Sequence, residues 1–325
     1  MKIAIIGAGW AGLSCAEKLI STNPEIEITI YEASPLVGGR AKGLTWKLPD
    51  NRELLIDNGQ HLVIGAYSYF LELLERSNAP KWLTQNFSWT YKSRKDNFII
   101  FEKSFFVKKD IFFNSFLRFK NLSFKWKLQF FMALVITKYI NRNYKGDVKT
   151  WLKKNYQSNE IIKFFWIPFV ESTLNTKWDE ASVVPLLAVL NECLNNFPES
   201  IKIYFPPRNL TYDALNPVIT RLKKLGVIFS LNSPVHSIKE NYSLKIRSKF
   251  SKEYDKIILA LPGHASQKIW RASNFIEKEN SLIWKNHEYR EIFNLWVVLP
   301  KNIQAKNSNK KEITWEIIVD DNLSN

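Results

Sequence analysis

Three glycines spaced as GxGxxG, in Gly7-Ala8-Gly9-Trp10-Ala11-Gly12, follow the apolar run Lys2–Ile6 and precede a helical pattern through Leu13, Ala16, Leu19 and Ile20. Between a strand and a helix each glycine has its own task. Gly7 permits the tight turn, Gly9 lets a pyrophosphate approach the backbone, and Gly12 allows the helix to pack close to the strand. Ala8 and Ala11 complete the turn, and the helix start offers free N–H groups and a partial positive charge to phosphates. Glu32 ends a second strand, twenty residues after Gly12. A carboxylate there accepts hydrogen bonds from ribose hydroxyls and repels a 2′-phosphate, which disfavours NADP. The pattern alone does not separate NAD from FAD.

Two further clusters carry chemistry. Tyr31-Glu32-Ala33-Ser34-Pro35-Leu36-Val37-Gly38-Gly39-Arg40-Ala41 places bare backbone at Gly38 and Gly39 and a guanidinium at Arg40, beside the first turn in sequence. Such a pairing brings backbone near a cofactor and offsets pyrophosphate charge. Asp57-Asn58-Gly59-Gln60-His61-Leu62 follows, with His61 either a core histidine or a working group. Cys15 and Cys193 match no metal spacing and read as two free thiols in a reducing compartment, with a disulfide between them the alternative. No metal cluster, Ser–His–Asp set or catalytic cysteine emerges.

The glutamate-to-arginine segment resembles the second motif of the FAD-binding flavoproteins that include amine oxidases and carotenoid desaturases. Tyr254–Pro262, with Ala260 in its Ala-Leu-Pro end, resembles the family strand that re-enters the FAD domain. Val235 matches the position whose backbone meets the adenine. The resemblance therefore implies FAD rather than NAD, with Ala41, Asn58, Gly59 and Gln60 also near the cofactor. The Asn-Gly-Gln-His form is similar to the hydroxysqualene dehydroxylase branch in particular. So are Trp166-Ile167-Pro168-Phe169, Leu174-Asn175-Thr176 and Glu180-Ala181-Ser182. Val170 stands where many of those relatives have a cysteine, so no thiol role carries over. Asn175 and Thr176 also read as caps of the helix beginning near Ala181.

That resemblance implies replacement of an allylic hydroxyl by hydrogen, giving squalene, with reduced flavin as hydride source and His61 assisting departure or positioning the substrate. Alternatives are a carotenoid-type desaturase or amine oxidase of the same superfamily, and a non-catalytic lipid- or membrane-binding remnant. Relatives continue into a last segment with a Gly-Asp motif that closes over the flavin. The sequence up to Asn325 holds none, so the expectation is a fragment, a truncated gene or a partner-supplied segment, with weakened FAD binding.

The elements that must position these residues follow a βαβ opening, Lys2–Ile6, a helix, then Ile26–Tyr31, which implies a parallel sheet. The predicted fold is α/β: a discontinuous Rossmann-like FAD-binding domain (1–97 and 206–268) with an inserted, mainly helical substrate domain (98–205) and late strands in 269–325. Tyr67–Ser77, Glu160–Glu171, Ala181–Asn195 and Ala214–Leu225 read as helices. Val227–Leu231, Ser243–Ser248, Lys256–Leu261, Tyr289–Leu299 and Ile313–Val319 read as strands. Phe98–Lys145 holds fourteen aromatic residues and ten Lys or Arg against two acids, and Ile111–Phe119 and Phe124–Tyr139 have helical spacing. It reads either as an isoprenoid-lining, lipid-facing surface or as ordinary helical core with a solvated face.

The formal net charge is +15, but only 11 of the 46 basic residues are Arg, so part of the excess is compositional. No Arg-rich tract, RNA-binding aromatic motif or zinc-finger spacing supports a nucleic-acid partner. No apolar run approaches the ~20 residues of a membrane span. The reading is cytoplasmic, peripheral membrane contact being open, with a polyprenyl or triterpenoid substrate. Oligomeric state is not legible.

Overall fold

The computed structural model describes residues 1–59, 63–85, 89–92, 97–101, 124–139, 145–197, 199–273 and 295–298. The chain begins β1 (Lys2–Ile6), α1 (Trp10–Thr22), β2 (Glu27–Tyr31), β3 (Gly43–Lys47), β4 (Glu53–Asp57), β5 (Val63–Ile64) and α2 (Ser68–Arg76). There follow β6 (Leu83–Gln85), β7 (Trp89–Lys92), β8 (Asn97–Phe101), α3 (Phe124–Tyr139), α4 (Val148–Lys154), α5 (Asn159–Ile161), α6 (Ile167–Leu174) and α7 (Val183–Asn195). The last described elements are β9 (Ile203–Phe205), α8 (Asn216–Lys224), β10 (Ile228–Ser230), β11 (Val235–Ile238), β12 (Leu244–Ile246), β13 (Lys249–Phe250), β14 (Lys256–Leu259) and α9 (Gly263–Ala272).

The chain divides into two compact units. The first comprises Met1–His61, Ser68–Leu83 and Phe205–Asn294; the second comprises Leu62–Tyr67, Thr84–Tyr204 and Leu295–Asn325.

The first unit is built on a four-stranded sheet of order β10-β2-β1-β14, all parallel, with Ile5 opposite both Ile30 and Ile258. Parallel strands covered on both faces are apolar at nearly every position, which is why Lys2–Ile6 shows no polar alternation. Ile3, Ile5, Ile28 and Ile30 pack with Leu13, Ala16 and Ile20 of α1 and Val218 and Leu222 of α8. Ala4, Ile6 and Tyr31 point the other way, into a core with Ile238, Leu244, Tyr254 and Ile269. That second face is covered by the antiparallel sheet β11-β12-β13 and by α9. Sheet character thus returns after residue 226, and the mixed α/β fold with a parallel sheet is the one expected.

The second unit has a helical core. Trp151 and Leu152 of α4, Trp166, Val170 of α6, and Val183, Leu186 and Leu190 of α7 are all buried. Trp166 stands edge-on to Trp151 at 5.9 Å, and its indole donates to the Gln157 Oε1 at 2.9 Å, so a large ring is buried without orphaning its N–H. Between α5 and α6 the helix widens into a π turn, Ile162–Trp166, and a second π turn, Thr211–Leu215, precedes α8 in the first unit. Both run into a proline near the next helix start, Pro168 and Pro217. Proline has no N–H to give and crowds the preceding turn, so the wider turn relieves both problems.

Four expectations change. Asn175 does not cap the helix near Ala181; it ends α6 in the left-handed region (φ 50°), its N–H bonded to the Glu171 carbonyl. Asparagine tolerates that conformation, and Ser182 occupies the next N-cap instead. The region from Phe98 begins as a strand: β7 and β8 form a hairpin with Tyr91 opposite Phe98. Gly43–Lys47, not singled out as a strand, pairs with β4 as another. Of Tyr289–Leu299 only residues 295–298 are described, and they have no strand partner among the described residues. Ile111–Phe119 and Ile313–Val319 lie outside the described residues.

Candidate functional site

The site in the first unit sits at the carboxyl ends of β1, β2 and β14. Gly7 has φ +108°, and a Cβ there would stand 2.5 Å from the Ala260 carbonyl oxygen, so only glycine fits the turn. Gly12 is buried against the same turn, where a Cβ would meet the Gly7 oxygen at 2.0 Å. Gly9 differs: nothing closer than the Gly39 Cα, at 4.0 Å, faces its missing side chain. Two of the three glycines are demanded by packing, and the middle one keeps space clear over the backbone. It is also the N-cap of α1, which has neither a side-chain cap nor an acid in its first turn. Exposed Ala11 belongs to that turn. An uncapped, acid-free helix start is a site for an anion.

The second motif closes on the first. The Gly38 N–H donates to the Ala8 carbonyl at 2.9 Å, and the Trp10 indole donates to the Ala41 carbonyl at 2.7 Å. Trp10 packs edge-on to Phe70, at 5.0 Å. Exposed Arg40 stands on this turn, and its carbonyl accepts from the Asn58 Nδ2 at 3.0 Å. The neighbouring Asp57 accepts from the Leu210 N–H at 2.8 Å, and buried Gly59 has φ +86°. Gln60 and His61 lie outside the described residues.

Glu32 is half-buried, its two carboxylate oxygens accepting from the Ala8 and Ser34 N–H groups at 2.9 Å each. Each oxygen keeps a lone pair for a further donor such as a ribose hydroxyl. Beside it opens a cavity of about 260 Å³ lined by Gly7, Glu32, Val235, Leu261 and Lys268, among others. The loop before Val235 is tied to the same strand end, since the Ser233 N–H donates to the Glu32 carbonyl at 2.8 Å. Under the cavity the Tyr31 and Tyr254 hydroxyls share a hydrogen bond of 2.7 Å, and burial with that bond pushes the Tyr31 hydroxyl far above its usual range.

The structure thus brings Gly7, Ala8, Gly9, Ala11, Gly12, Glu32, Gly38, Gly39, Arg40, Ala41, Asn58, Gly59, Val235 and Ala260 into one unit. Sequence reasoning missed Trp10, which occupies a variable position of the motif, and Lys268, which has no signal beyond its place on a helix after the Ala-Leu-Pro strand. Burial raises the Cys15 thiol, and burial together with the nearby Glu192 carboxylate pushes Cys193 up to about 11, so both favour the protonated form. Among the described residues no group of three His, Cys, Asp or Glu could hold a metal ion.

A parallel sheet with a Gly-rich turn, a carboxylate at the end of the second strand and a cavity at its strand ends defines a dinucleotide-binding protein. The chain belongs to the flavin containing amine oxidoreductase family, whose profile matches residues 10–317. It is 36% identical over 81 residues to the zeta-carotene desaturase of Solanum lycopersicum, covering 25% of this chain and 13% of that protein. Against the 15-cis-phytoene desaturase of Synechococcus elongatus it is 23% identical over 257 residues, covering 72% and 50%. The chain therefore matches half or less of the length of these curated relatives. An oxidoreductase structure from Methanosarcina mazei shares the fold, with TM-score 0.65 and 18% identity over 87% of this chain and 64% of that one.

FAD is the cofactor, and the residues present fit it. The space kept over Gly9 and the uncapped start of α1 suit a pyrophosphate, and Glu32 with the adjoining cavity suits the adenosine end.

Proposed function

We propose that this FAD-dependent oxidoreductase acts on a long isoprenoid, reducing hydroxysqualene to squalene. The observation that carries this reading is the joint order of Asp57–His61, Trp166–Phe169, Leu174–Thr176 and Glu180–Ser182 on a chain with an FAD-type dinucleotide unit. The polyene desaturases among its relatives support an isoprenoid substrate. Replacing C–OH by C–H consumes two electrons and two protons and releases water; reduced FAD, when bound, supplies the electrons. In this proposal the Gly7–Gly12 turn and Arg40 hold the pyrophosphate, Glu32 the ribose, and the Val235 backbone the adenine. His61 assists departure of the hydroxyl or positions the substrate.

The second unit is the proposed substrate domain. On α3, Phe124, Leu128 and Met132 recur every fourth residue and are 70%, 50% and 47% exposed, beside exposed Lys125. With Lys and Arg at 46 against 31 Asp and Glu, this stripe suits an anionic lipid surface, where a triterpenoid would be met. No helix among the described residues is long and apolar enough to cross a membrane.

A desaturase reading is favoured by the named relatives and differs in the direction of electron flow. Anaerobic incubation of the FAD-loaded protein with hydroxysqualene and dithionite separates the two. Squalene formation is the expected result. No squalene, together with desaturation of a polyene by the oxidised protein and an added quinone, would establish the desaturase instead.

A further inference from the structure

We infer that the first unit carries a second binding site, for a small organic molecule bearing an oxyanion, in the cleft between α2 and α8. The cleft has a volume of about 490 Å³ and is lined by Arg76, Ser77, Arg208, Asn216, Arg221 and Lys224, among others. No carboxylate lines it, and none of its residues lines the cavity at the strand ends.

What makes these cations a built site is the pair of acids behind them. Glu17 of α1 is 1% exposed and accepts from Arg76 at 3.0 and 3.1 Å and from Arg221 at 3.1 Å. Asp213 is fully buried and accepts from the Arg208 Nε at 2.8 Å and Nη2 at 2.5 Å. Three guanidinium groups are thereby fixed before any ligand arrives, which removes the ordering cost that weakens most surface arginine clusters. Each guanidinium has five N–H donors. Arg76 uses three of them, on Glu17 and exposed Glu72, while Arg221 uses two, on Glu17 and Ser21. Four cations against the two buried acids and Glu72 leave the cleft net positive, with Lys224 on its exposed side.

A ligand in the cleft meets N–H donors of the forked arginines and the Lys224 ammonium, which suit an acceptor-rich oxyanion. Phosphate and carboxylate groups share this chemistry.

The test titrates pyrophosphate and, separately, citrate into the full chain at saturating FAD and constant ionic strength, read by calorimetry. Saturable binding of one probe at millimolar concentration or tighter is expected. Preference for pyrophosphate would assign a phosphorylated ligand, and preference for citrate a carboxylate. Lys224→Glu, at an exposed position, is expected to weaken binding at least ~10-fold, the effect of reversing one close charge. FAD content and far-UV circular dichroism should stay unchanged. A second variant, Thr220→Glu, puts a negative charge on the same wall and should do the same. Absence of saturable binding by both probes, or binding indifferent to both variants, overturns the inference.

Discussion

At Glu17 two opposing effects can be weighed on one side chain. Burial alone would push its carboxyl up, but hydrogen bonds from Arg76, Ser21 and Arg221 outweigh it and hold the group below the ordinary carboxylate value of 4.5. A depressed value in the folded protein means that the pairing stabilises the fold above the unfolded value and is lost as pH falls through the folded one. Glu17→Gln should therefore cost about 1–3 kcal/mol at pH 7, less than breaking a fully buried pair because Arg76 and Arg221 remain partly solvated. The gap between variant and wild type should shrink as pH falls below about 4.5. Denaturant unfolding at pH 7 and pH 3.5 measures both; a gap that does not change with pH would show that Glu17 acts by shape alone. Nothing in the sequence distinguishes Glu17 from the solvated acids around it. Its partners lie 59 and 204 residues away. The glycines of the first turn were legible because their spacing is a local signal, even though the atom that excludes a side chain at Gly7 belongs to distant Ala260.

Among the elements, β1, β2 and α1 were legible for the same reason, since a strand, a Gly-rich turn and a helix signal within thirty residues define one another. Hairpins were harder. Gly43–Lys47 reads GLTWK, with no buried position and no alternation of buried and exposed residues, so only its partner β4 makes it a strand. The π turns were invisible because Glu160–Glu171 and Ala214–Leu225 keep helical apolar spacing through them; only the prolines hint at a widened turn. Helix α3 is where the lipid proposal can be tested. Replacing Phe124, Leu128 and Met132 with Ser should remove most co-sedimentation with anionic vesicles at low salt. In the wild type, that binding should also fall as salt rises, since each Lys near the surface contributes about 1 kcal/mol. Equal binding to neutral vesicles, or unchanged binding by the variant, would mean that the stripe meets something other than anionic lipid.

For the molecule as a whole, the two units are built in different chemical styles. The first uses backbone: glycines set by packing, N–H groups at a helix start, and one carboxylate already holding two amides. The second buries indoles and phenyl rings with few polar groups among them. FAD follows from the first together with the family; the substrate proposal leans on the second and on residues such as His61 that lie outside the described set. That contrast is why a dinucleotide cofactor could be read from two short motifs, Gly7–Gly12 and Tyr31–Ala41, while the substrate proposal needed blocks spread over more than a hundred residues. In the proposed function the Gly7–Gly12 turn, Glu32 and the adjoining cavity grip the adenosine diphosphate half of FAD. That grip is tested most directly by competition against FAD, followed by flavin fluorescence, with ADP and with FMN as competitors. ADP should displace FAD and FMN should not, and Gly9→Val should abolish flavin occupancy because a branched side chain fills the space the pyrophosphate needs. Displacement by FMN but not ADP, or full flavin occupancy in Gly9→Val, would contradict it.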